Sequence, residues 1–237
     1  MSEFPNGAVA LISGASRGIG NYAAAELLHQ GWSVSLGMRQ PAMPEWAAGH
    51  EDRVQVMAYE AGDVEAEQRW VDAALARFGR IDALVANAGI MIPKTVIEAD
   101  DDDIDALMAI NVKAPRRLAK AAWKALCSTG RGRVIILASL SGKRVKSAGA
   151  GSYSLSKFAA VALAHAIRQA GFDRGIRATA VCPGFVATDM AAALTDRASE
   201  LLTQPDDLAR IIAMLIALPN SASVAEFAVN CQLEEFF

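Results

Sequence analysis

The sequence predicts an α/β fold, with one doubly wound parallel sheet and helices on both faces. Three observations carry this. Short apolar runs alternate with longer stretches whose apolar residues recur at helical spacing. The short runs are mainly apolar and contain β-branched residues, as strands covered on both faces do. A glycine-rich turn follows the first run directly and leads into a helical stretch. No internal repeat, low-complexity tract or Pro/Gly/Ser linker interrupts the pattern, so residues 1–237 are expected to form a single domain.

In order, residues 8–13 predict the first strand, and the helix 18–30 ends where Gly31 offers a C-cap. Strands follow at 33–38 and 54–58, with a loop at 41–49. Residues 64–78 carry Val71, Leu75 and Phe78 at helical spacing and stop at Gly79. A fourth strand, 83–86, precedes one long helix over 102–128. The run Asp100 to Asp103 reads as a solvated helix start, where carboxylates favour the dipole. Consecutive carboxylates on a helix point in different directions, which argues against a metal site there. A fifth strand at 133–138, a helix at 152–168, a sixth strand at 178–182, a helix at 206–218 and a final strand at 227–230 complete the reading.

Composition excludes several functions. At 53% apolar the chain can bury a large core. A net charge of −3 gives no electrostatic reason to expect a nucleic-acid or anionic-membrane partner. Apolar runs such as 211–218 are far short of the ~20 residues that a membrane span needs. Cys127, Cys182 and Cys231 are widely spaced and odd in number, so neither a disulfide framework nor a zinc site fits. Cys182 reads as a buried structural thiol. His29, His50 and His165 share no metal spacing, and no metal is expected. The N-terminus has neither a basic nor an apolar signal region, and a cytoplasmic location is expected.

The turn after the first strand reads Gly14-Ala15-Ser16-Arg17-Gly18-Ile19-Gly20. Glycines let the backbone turn tightly and approach a pyrophosphate, and the helix that follows offers unpaired N–H groups and a positive dipole end. A dinucleotide is the ligand this context suits. The end of the second strand, Leu36-Gly37-Met38-Arg39-Gln40, lacks the acid that would hold a ribose 2′-hydroxyl. Arg39 stands beside that slot and Arg17 projects from the glycine loop. Two guanidiniums suit a 2′-phosphate, so NADP(H) is expected over NAD(H).

Tyr153 and Lys157 lie four apart, on one face of a predicted helix. A free phenol has a pKa near ~10 and is a poor acid–base at neutral pH. Lowering it by roughly three pH units takes about 4 kcal/mol, which a nearby ammonium and an oxidised nicotinamide can supply. Ser139 ends the fifth strand, where its hydroxyl could hold a substrate oxygen as charge develops, with Ser141 a local rival. Asn111 could anchor a water that relays protons through Lys157.

Taken together these pieces resemble the classical short-chain dehydrogenase/reductase family over nearly the full chain. The matching segments are Ser13 to Gly20, Asp63-Val64, Asn87-Ala88-Gly89, Asn111, Ser139, the Tyr153/Lys157 pair, and Pro183-Gly184-Phe185-Val186-Ala187-Thr188. The resemblance implies a Rossmann-like sheet of about seven parallel strands. It implies Tyr153 as acid–base, Lys157 lowering its pKa and holding the nicotinamide ribose, Ser139 orienting substrate and Asn111 completing a proton relay. It places Asp63 and Val64 at the adenine, Asn87, Ala88 and Gly89 beside the cofactor, and Val186 and Thr188 at the carboxamide. Arg17 and Arg39 match the family's NADP-preferring pattern.

Ser13 and Ala86 depart from the usual Thr and Asn, and residues 229–237 lack the Gly-rich tail of many members. The resemblance also implies a homo-oligomer, dimer or tetramer, with the helices 102–128 and 152–168 as surfaces. Phe236 and Phe237 are candidates for docking on a neighbouring subunit.

An NADP(H)-dependent oxidoreductase acting on a small-molecule carbonyl or alcohol is therefore expected. The rivals are an NADP(H) sensor without turnover and an epimerase or dehydratase on a nucleotide sugar. The 49 residues after Thr188 are too few for the substrate domain that such sugar enzymes usually need. The substrate segment, residues 189–204, is short and carries no charged pair that announces a carboxylate or phosphate. The substrate is left open.

Overall fold

A computed structural model describes residues 7–233. The strands are β1 (Val9–Ser13), β2 (Ser33–Met38), β3 (Val54–Ala58), β4 (Ala83–Ala86), β5 (Arg133–Leu137), β6 (Arg177–Pro183) and β7 (Glu226–Val229). They form one sheet in the order β3-β2-β1-β4-β5-β6-β7, with every pairing parallel. Strand order reverses between β1 and β4, where Ile12 pairs with Val85. Open parallel sheets bind ligands beyond the carboxyl ends of the strands at such a switch point.

The helices are α1 (Gly18–His29), α2 (Ala66–Phe78), α3 (Asp101–Met108), α4 (Ala114–Ser128), α5 (Gly151–Gly171), α6 (Asp189–Ala192) and α7 (Pro205–Ala217). Side chains alternate across the sheet. Val9, Leu11 and Leu84 therefore face α2, α4 and α5, where they meet Trp70, Leu118 and Ala160. Ala10 and Ile12 face the other way, onto Leu27 of α1 and Leu208, Ile212 and Ile216 of α7. Each fully buried Leu or Ile is worth roughly 1.5–3 kcal/mol over leaving it exposed. Trp123 of α4 packs partly buried on the first of these layers. On α5, Leu155 and Phe158 are exposed.

The one long helix expected over 102–128 is broken. A π-turn, Ala109–Lys113, separates α3 from α4. Pro115 stands in the first turn of α4. It has no N–H to give the Asn111 carbonyl four residues back, so the regular ladder fails there. Asp100 and Asp103 form a reciprocal capping box at the start of α3, and Lys94 pairs with Asp103 at 2.5 Å, consistent with a helix start rather than a metal site. The expected loop at 41–49 contains a short 3-10 turn, Glu45–Ala47. Other element ends differ from expectation by one to three residues, as fraying ends do. Phe236 and Phe237 lie outside the described residues. Among the described residues no helix is long and apolar enough to cross a membrane, and no three His, Cys, Asp or Glu side chains converge on a metal site.

Candidate active site

A cleft of about 1140 Å³ runs along the carboxyl ends of the strands. Its first wall is built from backbone. The Ser13 hydroxyl accepts from the N–H groups of Asn87 and Ala88, each at 3.0 Å. The Asn87 amide donates to the carbonyls of Ser13 and Gly14, each at 3.1 Å. These bonds lock the end of β1 to the segment after β4. Ala86, where the resemblance led to Asn, leaves this lock intact. Gly14 has φ +65°, a conformation that costs a non-glycine residue strain. A Cβ at Gly20 would stand 2.5 Å from the Gly14 carbonyl oxygen, so only glycine lets α1 start this close to the turn.

The N-cap residue Arg17 makes no side-chain cap, and the first turn of α1 carries no acid. The α1 N-terminus thus keeps its donors for a ligand. Ser16, Arg17, Gly18 and Ile19 line the cleft beside it, with Met38 and Arg39 at the end of β2. The Arg17 guanidinium reaches across to Asp189, 2.5 Å away, with both side chains about 70% exposed (69% and 72%).

Asp63 and Val64 lie a few residues past the end of β3. Neither lines the cleft. Asp63 is turned to Arg69 and to the Glu65 N–H, which hold its carboxyl below the usual carboxylate range. Val64 points to solvent at 70% exposure. Tyr59, Glu60 and Ala61 line that end instead. They follow β3 immediately, where the rule that sites lie just past strand ends would look.

At the centre of the cleft Tyr153 and Lys157 sit on α5, as their spacing requires. Tyr153 is 8% exposed and its hydroxyl is hydrogen-bonded to Ser139. Burial pushes the phenol up to about 12, and the Ser139 hydrogen bond only partly offsets this. The expected lowering by Lys157 is therefore not what this chain alone produces. The ammonium lies 5.5 Å from the ring centroid and donates to the Leu137 carbonyl at 2.7 Å. Burial pulls Lys157 itself down to about 8. Desolvation is the leading cause of both shifts.

Ser139 stands at the end of β5 and accepts from the Ser141 N–H at 3.1 Å, which fixes it at the head of a 3-10 turn. Ser141 also lines the cleft. Asn111 is 2% exposed and does not line it. Its amide exchanges two bonds with Ile90, one each way at 2.9 Å, and donates a third to Ser156 at 2.9 Å. Both amide hydrogens are therefore spent. A water here would have to use an Asn111 oxygen, and Pro115 withholds the usual helical donor from the backbone one. Gly89 packs closely on both Asn111 and Lys157, since a Cβ there would stand 3.1 Å from the Asn111 oxygen and 3.6 Å from the ammonium.

Pro183, Gly184, Val186 and Thr188 close the far side after β6. The Thr188 methyl would lie 3.2 Å from a Cβ on Gly18, so this segment touches the glycine loop. Cys182 is buried and its thiol is pushed up to about 11, which makes it inert. His165 Nε2 lies 2.6 Å from a carboxylate oxygen of Glu226.

The sheet, the glycine turn at its switch point and the buried phenol–lysine pair together define a dinucleotide-binding α/β protein of the oxidoreductase type. Residues 8–199 match the family model described as short chain dehydrogenase. The chain belongs to the short chain dehydrogenase family. It is 38% identical over 98% of its length to an agropine synthesis reductase of Rhizobium rhizogenes and spans about half (54%) of that relative. It is 31% identical over 79% of its length to oxidoreductase UcpA of Escherichia coli strain K12, covering 73% of it. An alcohol dehydrogenase of Thermococcus sibiricus complexed with 5-hydroxy-NADP superposes with a TM-score of 0.85 at 26% identity, over 97% of this chain and 99% of that one. A 3-ketoacyl-(acyl-carrier-protein) reductase of Brucella melitensis complexed with NADH gives 0.84 at 25% identity, over 94% and 96%.

Proposed function

We propose that this domain is an NADP(H)-dependent oxidoreductase that interconverts a carbonyl and an alcohol, with Tyr153 as its acid–base. The single observation behind this is the buried Tyr153 hydroxyl on Ser139, with Lys157 below it, at the floor of a cleft whose other end is a glycine cradle. The cradle fits a dinucleotide, because uncapped α1 donors face a site with no acid in the first turn. The cofactor, when bound, supplies or accepts the hydride.

The chain's own residues do the rest. Ser139 hydrogen-bonds the substrate oxygen and holds it beside the Tyr153 hydroxyl. A phenol at about 12 is protonated at neutral pH, so it stands ready to donate its proton to that oxygen. Lys157 binds the nicotinamide ribose and passes a proton to Tyr153, with Asn111 positioning the water that refills it. Arg39 and Arg17 hold the 2′-phosphate, which NADH lacks. Glu60 and Ala61 take the adenine end. Asn87, Ala88, Gly89, Val186 and Thr188 shape the nicotinamide end. The exposed Leu155 and Phe158 of α5 supply part of a homo-oligomer surface.

The test is NADPH and NADH consumption across a panel of ketones and aldehydes, run beside Tyr153→Phe. Expected are turnover with NADPH, at least about tenfold weaker use of NADH, and a loss on the order of 10³-fold in kcat in the variant with NADPH binding kept. Tight NADPH binding without turnover of any carbonyl would make the chain a cofactor sensor instead.

A further inference from the structure

The cradle end of the cleft is backed by two charges that do not line it. Glu67 stands in the first turn of α2, where a carboxylate suits the dipole, yet it is 1% exposed. Arg117 reaches it from α4. The Arg117 Nε donates to one Glu67 oxygen at 2.9 Å, and Nη2 donates to the other at 3.0 Å. The same Nη2 donates to the Ala61 carbonyl at 2.7 Å. The Tyr59 hydroxyl donates to Glu67 at 3.1 Å. Glu67 and Arg117 lie behind the wall that Tyr59, Glu60 and Ala61 present to the cleft.

One turn further along α2, Trp70 extends this linkage. Its ring centroid lies 5.0 Å from that of Tyr59, and its indole N–H donates to Ser35 of β2 at 2.8 Å. It also packs on Gly37, where a Cβ would meet the indole ring at 2.7 Å. The Gly37 carbonyl in turn accepts from the Gly14 N–H at 3.0 Å. The segment after β3 and the glycine turn are thus braced against one another from behind.

A buried ion pair is often worth no more to stability than apolar side chains of the same volume. Placement is what this one supplies. A planar guanidinium serves both carboxylate oxygens and a carbonyl at once, which an ammonium does not. Beyond the Tyr59 N–H bond to Met38 at 2.8 Å the chain leaves the sheet, and Arg117 fixes it again at Ala61. We propose that Glu67 and Arg117 are positioning residues for the adenosine end of the cofactor. They set residues 59–61 at the distance from the glycine turn that this end requires, without touching it. This rests on the dinucleotide reading above.

The experiment titrates 2′,5′-ADP, 5′-AMP and NADPH calorimetrically into the parent, into Arg117→Lys and into the double variant Glu67→Leu/Arg117→Met. The double variant removes both charges together and leaves no orphaned ion in the core. Circular dichroism and melting check each fold, and KM and kcat with NADPH are measured on a carbonyl that the parent turns over. The double variant should bind the parent's preferred nucleotide, and NADPH, about tenfold more weakly, which is the worth of one or two hydrogen bonds. Arg117→Lys, which keeps the charge and loses the fork, should lose about three- to fivefold. The loss should appear in the NADPH KM, with kcat within about twofold of the parent. In a merely structural role the melting temperature would fall while the folded protein kept its affinity. Nucleotide affinity kept within twofold by the folded variants therefore overturns the proposal, as does a fall in kcat with affinity kept. If the double variant does not fold, Arg117→Lys decides by the same criteria. A parent that binds neither nucleotide nor NADPH defeats the dinucleotide reading itself, and the proposal falls with it.

Discussion

The two walls of the cleft are held by different means. On the cradle wall, four hydrogen bonds of 3.0–3.1 Å join Ser13, Gly14, Asn87 and Ala88, and glycine is the only residue that fits at position 20. On the wall after β6, α6 is four residues long, and Met190 and Leu201 are 43% and 63% exposed. That wall is tied by backbone bonds from Gly184 to Val229 at 2.8 Å, Ala187 to Thr203 at 2.9 Å and Thr203 to Phe185 at 3.2 Å. A pyrophosphate is the same in every turnover, so its site can be made of rigid backbone. The substrate end is made of side chains on short segments, which can change without disturbing the cradle.

The largest effect that tests this contrast is Gly20→Ala. The added Cβ meets the Gly14 oxygen at 2.5 Å and the Asn87 amide at 2.6 Å, and neither can yield without breaking the lock on Ser13. Overpacking of this kind costs about 1–3 kcal/mol, so cofactor affinity should fall about 10–100-fold. Met190→Ala, on the other wall, should change it less than about threefold. Fluorescence titration of NADPH into both variants, with circular dichroism to check folding, measures this. Equal losses from both would mean that the walls are not distinct.

Lys157 lies between the walls and gives a pH test. Burial takes its ammonium from an ordinary 10.5 to about 8. Between those values the unfolded chain holds more protons than the folded one, so stability of the cofactor-free protein should rise with pH across that window. The penalty is fully present below about pH 8 and is on the order of 3 kcal/mol. Lys157→Met should melt higher than the parent at pH 7 and lose the rise. Its reductase activity should fall by about 10–100-fold, because the proton donor behind Tyr153 is gone. A parent melting temperature flat from pH 8 to 10 would show that the lysine is solvated.

Much of this was legible in the sequence, and the misses have physical causes. Buried parallel strands are continuous apolar runs, so all seven were found within a few residues, and Gly31 and Gly79 marked helix ends correctly. The phenol and lysine were legible because helical spacing alone puts them on one face. The break at Asn111 was missed, although Pro115 four residues on announces it. Which side of a loop faces the cleft could not be seen, because only the folded chain shows it. The phenol's raised pKa was hidden for the same reason: desolvation depends on what packs around a group, and no spacing rule reports it.

The smallest effect concerns the one place where the walls touch through charge. Arg17 on the cradle is paired with Asp189 on the segment after β6, at 2.5 Å, and both side chains are mostly exposed. Such a pair contributes little, and salt screens it. A 2′-phosphate that claims Arg17 must nonetheless take it from Asp189. Asp189→Asn removes the competitor and a nearby negative charge, so NADPH should bind about two- to fivefold tighter at low salt, with NADH unchanged. The gain should fade as ionic strength rises. If both cofactors tightened equally, Arg17 would not be reading the 2′-phosphate, and Arg39 alone would carry the discrimination. If neither changed, the pair would be a surface contact with no hold on the cofactor, and the two walls would be electrostatically as separate as they are in their packing.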